Sequence, residues 1–249
     1  GYLDGVDISR QEFYLRLSES DRLPTTATPG VDAFGQTYER LAEEGASEIL
    51  SIHVSVNLSA TVEVARTAAK QTTAVPVTVF DSQQLSLGTG FLALSAAKSA
   101  AEGLPMDEIL SSLEEQTSRS YVIAALDTLE FLRRSGRMNA AVARLGSILK
   151  IKPLLIMHGG EPTAERVRTR ERAIKRLTGF VSDLGPLEQL ALVHTNAPQE
   201  AQDLYHQAVH LFPGQGEPLS VDVTPVLGTH IGPGVVGFAC ITAKEAAWV

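Results

Sequence analysis

The alternation of strand-like and helix-like segments limits what this chain can fold into more than any other feature of its sequence. Runs rich in β-branched residues, 49–56 and 75–80, predict strands. The apolar spacing within residues 31–41 predicts a helix before the first of them. Strands that alternate with helices are typical of α/β proteins, in which helices cover the faces of a sheet. The sequence therefore predicts the α/β class.

The same patterns continue to the end of the chain. Further helices are predicted over residues 61–69, 85–101, 107–116, 129–149 with a break at Gly136, 165–180 and 199–211. Further strands are predicted over residues 121–126, 152–158 and 190–194, and two more within residues 221–241. The pattern of the predicted elements changes near Ser118. We therefore predict two lobes, residues 1–118 and residues 119–249.

Composition narrows the classes of function. The chain is 44% hydrophobic and 20% charged, which supplies a sizeable core, and its formal net charge of −8 disfavours binding to nucleic acid. No apolar run has the length of a membrane span, and no signal peptide is recognised at the start. Cys240, the only cysteine, is predicted to be inert core in a reducing compartment. We therefore expect a cytoplasmic protein.

Two segments place hydroxyl groups where an anion can bind. Ser59 follows the strand predicted at 49–56 and is expected to cap the next helix, whose N-terminus attracts a carboxylate or a phosphate. Thr25 and Thr26 lie in the loop 24–29, which prolines bound on both sides. Each segment has a simpler alternative. Ser59 could cap the helix without binding a ligand, and the loop could cap the helix that starts near Val31.

His230 lies among the glycines of residues 228–234, which are expected to form a loop between the last two strands. Glycines let the backbone approach a ligand closely, and successive N–H groups can form an anion nest. A structural turn with a satisfied histidine is the alternative. His206 and His210 are four residues apart but have no acidic or cysteine partner nearby, so no metal site is predicted.

Seven stretches together resemble the DegV family of fatty-acid-binding proteins. They follow the order of the family and cover nearly the whole chain: residues 4–8 with 13–14, 23–26, 52–61, 81–82, 129–137, 149–153 and 228–234. The resemblance implies a two-lobed fold. Its N-terminal lobe has a mainly parallel sheet flanked by helices, and its C-terminal α/β lobe has a mixed sheet.

The resemblance also implies roles for individual residues. Thr26 and Ser59 match the two hydroxyls that contact the fatty-acid carboxylate, and His230 matches a histidine near the same head group. Arg137 matches an arginine near the carboxylate and the surface for a partner kinase. The residues expected to support these loops are Thr25, Thr61, Thr229 and Gly232.

The function implied by the resemblance is lipid binding in bacteria. Relatives hold a long-chain fatty acid in an apolar tunnel and present its carboxylate to a fatty acid kinase, which forms the acyl phosphate for lipid synthesis. We therefore expect a binding protein that is not itself an enzyme, with no metal or cofactor. Its expected partners are the fatty acid and a kinase subunit, with transient membrane contact for ligand exchange.

The sequence also departs from the family pattern. Ala60 stands where glycine is usual, and Ser135 replaces the first glycine before Arg137. Relatives carry a further strand with an Asp-Ser motif ahead of the region that matches Tyr2. A sheet without that strand would have an open edge, so we expect an N-terminal segment to be missing from this sequence.

Physical chemistry supports a lipid ligand and leaves two alternatives. Burial of a sixteen-carbon chain contributes about 0.8 kcal/mol per methylene, roughly 12 kcal/mol before the costs of ordering and association. The first alternative is a hydrolase with Ser59 as nucleophile and His230 as base, although the sequence has no Gly-x-Ser-x-Gly motif and no evident acid partner. The second, a regulatory or interaction protein without a ligand, leaves the polar residues unexplained.

Overall fold

The computed structural model describes residues 1–19, 22–138, 151–214 and 216–244. The helices within them are α1 Arg10–Glu19, α2 Val31–Glu43, α3 Thr61–Gln71, α4 Ser86–Ala101, α5 Met106–Ser118, α6 Glu130–Arg134, α7 Arg170–Asp183, α8 Pro198–Ala208 and α9 Pro225–Ile231. The strands are β1 Ile49–His53, β2 Val77–Asp81, β3 Ser120–Ala125, β4 Leu154–His158, β5 Glu161–Glu165, β6 Leu187–His194, β7 Ser220–Asp222 and β8 Val236–Thr242. This element order confirms the predicted α/β class.

The chain forms two compact units, each built from separate stretches of sequence. Unit 1 comprises the described residues of 1–26, 119–158 and 162–249, and unit 2 comprises residues 27–118 and 159–161. The predicted division also has a boundary at residue 118. The units differ from it in two places, because residues 1–26 cluster with the second half of the chain and residues 159–161 with the first.

Unit 2 contains a parallel sheet with helices on both faces. β1 and β2 pair in parallel, with Ile49 opposite Val77 and His53 opposite Asp81. Because side chains alternate along a strand, each face of β1 meets different helices. One face packs against α2 and α3 in a cluster formed by Tyr38, Ile49, Ala68 and Val75. The other packs against α4 and α5 in a cluster formed by Leu92, Ala96, Ile109 and Leu113.

Unit 1 is built on a six-stranded mixed sheet with the order β5-β4-β3-β8-β6-β7. β8 runs antiparallel to both β3 and β6, and β7 runs parallel to β6. All seven residues of β8 are buried, as expected for a central strand. Cys240 lies there with no exposed surface, and burial raises the pKa of its thiol to about 12. The mixed sheet predicted for the second lobe is confirmed.

Helix α1 explains why the first residues of the chain belong to unit 1. It buries Phe13, Tyr14 and Leu17. The Tyr14 hydroxyl donates a hydrogen bond to the Val223 carbonyl at 3.0 Å, and burial raises the pKa of this phenol. The Tyr14 ring also lies directly against Gly228 in α9, where a Cβ atom would collide with it. These contacts hold α1 against residues from the last third of the sequence.

Three predicted elements differ from the structure. The helix predicted over 165–180 begins at Arg170, because residues 161–165 form β5 at the sheet edge, where a strand tolerates a proline. The helix predicted over 129–149 is observed as the short α6, and residues 139–150 lie outside the described residues. The glycine-rich loop predicted around His230 is in its first part a helix, α9.

Candidate functional site

Thr26 and His230 meet in unit 1 although 204 positions separate them in sequence. The Thr26 Oγ1 atom lies 3.2 Å from the His230 Nε2 atom, and both side chains are half-buried. This distance is within hydrogen-bonding range. The structure therefore brings together two of the three residues for which the sequence predicts a carboxylate site.

Thr26 is positioned by the residues that precede it. Leu23 packs against an apolar cluster that α1 contributes, in which Phe13, Tyr14 and Leu17 are buried, and Phe131 packs against the same cluster. Thr26 therefore extends from an anchored segment rather than from a free loop. Its neighbour Thr25 is exposed.

His230 is positioned by the packing of α9. Pro225 occupies the first turn of this helix, where a missing N–H has no cost, and the helix ends at Gly232 with φ +77°. A Cβ atom at Gly232 would collide with the Phe131 ring, and one at Gly228 would collide with Tyr14. Glycine at these two positions thus lets aromatic rings contact the helix backbone on both sides of His230.

The prediction of an anion nest is wrong for the backbone that follows His230. The Gly232 N–H donates to the Gly228 carbonyl at 2.8 Å, and the Gly234 N–H donates to the Thr195 carbonyl at 2.9 Å. The Thr229 hydroxyl likewise donates to the Pro225 carbonyl at 2.9 Å. Because these donors already have partners inside the protein, side chains rather than this backbone remain to bind an anion.

The surroundings of His230 favour the neutral form of its imidazole. Burial lowers the pKa of His230, and the positive charge of Arg137 lowers it further. Its Nδ1 atom is buried and has no hydrogen-bond partner within the described part of the chain. When Nε2 carries the ring proton and donates it to Thr26 Oγ1, the threonine keeps its own hydroxyl proton for an anion.

This geometry does not match a Ser–His hydrolase. Such an enzyme needs an acid at one imidazole nitrogen and the nucleophile at the other. His230 presents Nε2 to Thr26, and among the described residues no acid bonds its Nδ1.

Ser59 lies in unit 2 at the start of α3. Its Oγ is 2.7 Å from Thr61 Oγ1 and accepts the Thr61 N–H at 3.3 Å. The predicted cap is wrong by one residue, because the capping position is Ala60, which forms no side-chain cap. The backbone turn that carries Ser59 is held by Ser55, whose carbonyl accepts the Ser59 N–H at 3.2 Å and whose hydroxyl donates to the Gly160 carbonyl at 3.1 Å. The convergence of Ser59 with Thr26 and His230 stays a prediction.

Arg137 has an exposed side chain just beyond α6. Its guanidinium donates to the Ser135 carbonyl at 3.4 Å, and its charge reaches His230. An exposed guanidinium close to the imidazole is suited to meet an anionic group that approaches from solvent.

The described residues contain neither a metal-binding cluster nor a helix able to span a membrane. No group of three or more His, Cys, Asp or Glu side chains in ranges 1–19, 22–138, 151–214 and 216–244 is arranged to hold a metal ion. In the same ranges, no helix combines the length and the apolar character required to cross a bilayer.

Sequence reasoning missed the residues that brace the segment after His230. Arg170, the first residue of α7, donates to the Ala125 carbonyl at 3.1 Å and to the Gly234 carbonyl at 2.9 Å. Thr195, directly after β6, bonds to the same segment. The available signal was the position of Thr195 at the carboxyl end of a predicted strand, where functional residues of α/β proteins gather.

This chain has relatives among known proteins. A family model described as an uncharacterised protein of the DegV family matches residues 1–243. The chain belongs to the DegV family. It is 38% identical over 238 residues to a DegV domain-containing protein of Streptomyces coelicolor, covering 94% of this chain and 84% of that protein. It is 31% identical over 243 residues to protein DegV of Bacillus subtilis, covering 95% and 85%.

Solved structures of DegV proteins show the same fold. One is DegV from Bacillus subtilis, described as a fatty acid binding protein, with a TM-score of 0.84 and 30% identity over 97% of this chain and 87% of that one. Another is a DegV family protein from Thermus thermophilus, whose structure is described as one of fatty acid binding, with a TM-score of 0.84 and 32% identity over the same shares. The family and fold predicted from the sequence are confirmed.

Three histidines of this DegV protein are half-buried or buried, and they predict a loss of stability in mild acid. Burial is the main cause that lowers the pKa of His53, His194 and His230 below its unfolded value of about 6.5. The unfolded chain therefore binds more protons below that pH, and the free energy of unfolding falls as the pH drops through about 6.5. We expect the urea midpoint to be lower at pH 5.5 than at pH 7.5.

A pair of histidine variants tests the origin of this pH dependence. His194→Gln removes one buried titrating group and should flatten the change in midpoint between the two pH values, whereas His206→Gln, at an exposed position, should leave it as it is. A midpoint that stays constant or rises on acidification would contradict the assignment.

Proposed function

We propose that this protein binds a long-chain fatty acid and holds its carboxylate with Thr26, Ser59 and His230. The observation that carries the proposal is the hydrogen bond of 3.2 Å between Thr26 and a half-buried His230, whose imidazole pKa is lowered by burial. Support also comes from the relatives of Bacillus subtilis and Thermus thermophilus, which are described as binding fatty acids. Ser59 enters as the second hydroxyl through its match to the family motif.

The proposed chemistry is a short chain of hydrogen bonds to a carboxylate. His230 Nε2–H donates to Thr26 Oγ1, which orients the threonine proton toward the carboxylate, and the Ser59 hydroxyl donates to the same group. Each hydrogen bond to a charged partner contributes about 1.5–3 kcal/mol. The acyl tail supplies the larger part of the affinity through burial in an apolar tunnel. Binding of this kind involves no bond cleavage, so the protein acts as a carrier rather than as an enzyme.

Lipid extraction from the purified protein tests the proposal. Protein made in a bacterial host should carry a long-chain fatty acid near one per chain, identified by mass spectrometry after denaturing extraction. After removal of this lipid, added palmitate should raise the melting temperature, because a ligand that binds only the folded state stabilises it. Methyl palmitate has the same tail without the charge and should raise it less. Protein that yields no lipid and shows no shift with palmitate would refute fatty-acid binding.

The proposal extends to a partner and a setting. We propose that the protein presents the bound carboxylate to a fatty acid kinase subunit in the cytoplasm, for conversion to the acyl phosphate, and that it exchanges ligand during transient contact with a membrane. The exposed guanidinium of Arg137, close enough to His230 to lower the pKa of its imidazole, supports an approach of an anionic phosphate from solvent.

Replacement of Arg137 separates the partner from the ligand. Arg137→Ala should retain bound fatty acid but lower the rate of acyl phosphate formation by a cognate kinase, because its charge acts on the exposed side of the site. Arg134→Ala removes a neighbouring exposed arginine and serves as the matched control. Bound lipid is measured by mass spectrometry and phosphorylation by transfer of radiolabelled phosphate. Equal loss of lipid and of phosphorylation would place Arg137 in the binding site itself.

A further inference from the structure

Thr195 makes most of the polar contacts that hold the loop following His230. The residue is fully buried directly after β6. Its hydroxyl donates to the Gly232 carbonyl at 2.8 Å and accepts the Val235 N–H at 2.9 Å. Its own N–H donates to the Val235 carbonyl at 3.0 Å, and its carbonyl accepts the Gly234 N–H at 2.9 Å. One residue thus bonds to three of the four residues between α9 and β8.

The loop has few backbone donors of its own to hold its shape. Gly232 and Gly234 have φ angles of +77° and +79°, and Pro233 between them has no N–H to donate. The Gly232 N–H also closes the last turn of α9 by bonding to the Gly228 carbonyl. A hydroxyl that holds the Gly232 carbonyl therefore also holds the end of the helix that carries His230.

The side-chain type at position 195 suits this task. The hydroxyl is used both as donor and as acceptor, and the β-branched side chain has a stiff χ1 angle that fixes its direction. Because Thr195 has no exposed surface, water does not replace its hydroxyl. A valine of the same shape would leave the Gly232 carbonyl and the Val235 N–H without this shared partner.

We propose that Thr195 is a positioning residue for the fatty-acid site, whose hydroxyl fixes the loop 232–235 and thereby holds His230 Nε2 against Thr26. Thr195 itself does not touch the ligand. Its effect on affinity rests on the proposed fatty-acid binding. Its effect on the imidazole is a property of the ligand-free protein and is tested separately.

Two variants of the full chain test this role. In lipid-free protein, Thr195→Val should shift the ¹⁵N resonances of the His230 imidazole and change its titration, because the contact with Thr26 is lost. The signals that disappear in the His230→Gln variant are assigned to the His230 imidazole. The Kd for palmitate should rise about tenfold or more, as expected when buried polar groups lose their partner. Thr195→Ser keeps the hydroxyl and should restore both the imidazole signals and the affinity.

A second variant distinguishes positioning from loss of stability. Val181→Ala creates a cavity at another fully buried position of unit 1 and should lower the melting temperature without changing the His230 signals or the Kd. The proposal is overturned if Thr195→Val leaves the His230 signals unchanged, if Thr195→Ser fails to restore them, or if Val181→Ala changes them equally. If the wild-type protein binds no palmitate, the proposed function fails, and the His230 signals alone decide the role of Thr195.

Discussion

Replacement of Gly228 by alanine should lower the free energy of unfolding by about 2–3 kcal/mol, the upper part of the range for overpacked cores. A Cβ atom at this position collides with the ring and hydroxyl of Tyr14. The ring has little room to move, because Tyr14 is 1% exposed and its hydroxyl bonds to the Val223 carbonyl at 3.0 Å. Urea unfolding followed by circular dichroism measures the change.

Two comparisons show whether the collision is the cause. Gly179→Ala, in the middle of α7, introduces the same methyl group where nothing lies within 4 Å, and should stabilise the protein by about 0.5–1 kcal/mol through helix propensity. In a Tyr14→Leu background, Gly228→Ala should cost much less than in the wild type, since the two residues are in contact. Equal costs in both backgrounds would show that Tyr14 is not what limits position 228.

Replacement of Thr26 by valine should raise the Kd for a long-chain fatty acid by about 10- to 100-fold. The change would remove the proposed hydrogen bond from Thr26 to the carboxylate. A hydrogen bond to a charged group is worth about 1.5–3 kcal/mol, and each 1.4 kcal/mol corresponds to a factor of ten. The change keeps the shape of the side chain. Because Thr26 is only half-buried, the melting temperature of the lipid-free protein should change little. Displacement of a fluorescent fatty acid measures the affinity.

The matched control at this position is Thr26→Ser, which retains the hydroxyl and should bind within a few-fold of the wild type. Methyl palmitate, which carries no charge, should lose much less affinity than palmitate on the change to valine. If the valine variant binds palmitate as tightly as the serine variant does, the hydroxyl of Thr26 does not contact the carboxylate.

The elements with strong local patterns could be predicted from the sequence. The β-branched run that begins at Ile49 and the buried run of β8 form strands because burial and local propensity agree there. The parallel pairing of β1 and β2 also follows from the alternation of strands and helices. Residue chemistry marked Thr26 and His230 as separate candidates, but only the resemblance assigned them to one site, since no local pattern relates them over 204 positions.

The elements that escaped prediction depend on contacts with distant residues. The sequence of α9 contains Gly228 and β-branched residues, which lower helix propensity, and the packing of Tyr14 against it overrides that tendency. β5 carries Glu161, Pro162 and Glu165 and has no apolar alternation, because it lies at the sheet edge. Local sequence patterns do not encode either effect.

The position of β8 inside the sheet of unit 1 has a consequence for synthesis on the ribosome. β3 pairs with β8, with Ser120 opposite Ile241. This central strand pair of the sheet can therefore form only after almost all of the described residues have been translated. Most of unit 2 is translated long before that and is able to fold first. The Tyr14 hydroxyl of α1 meanwhile lacks its hydrogen-bond partner, because Val223 follows 209 residues later. Tyr14 thus reaches its native surroundings, the Val223 carbonyl and Gly228 of α9, only after nearly all of the described residues have been translated.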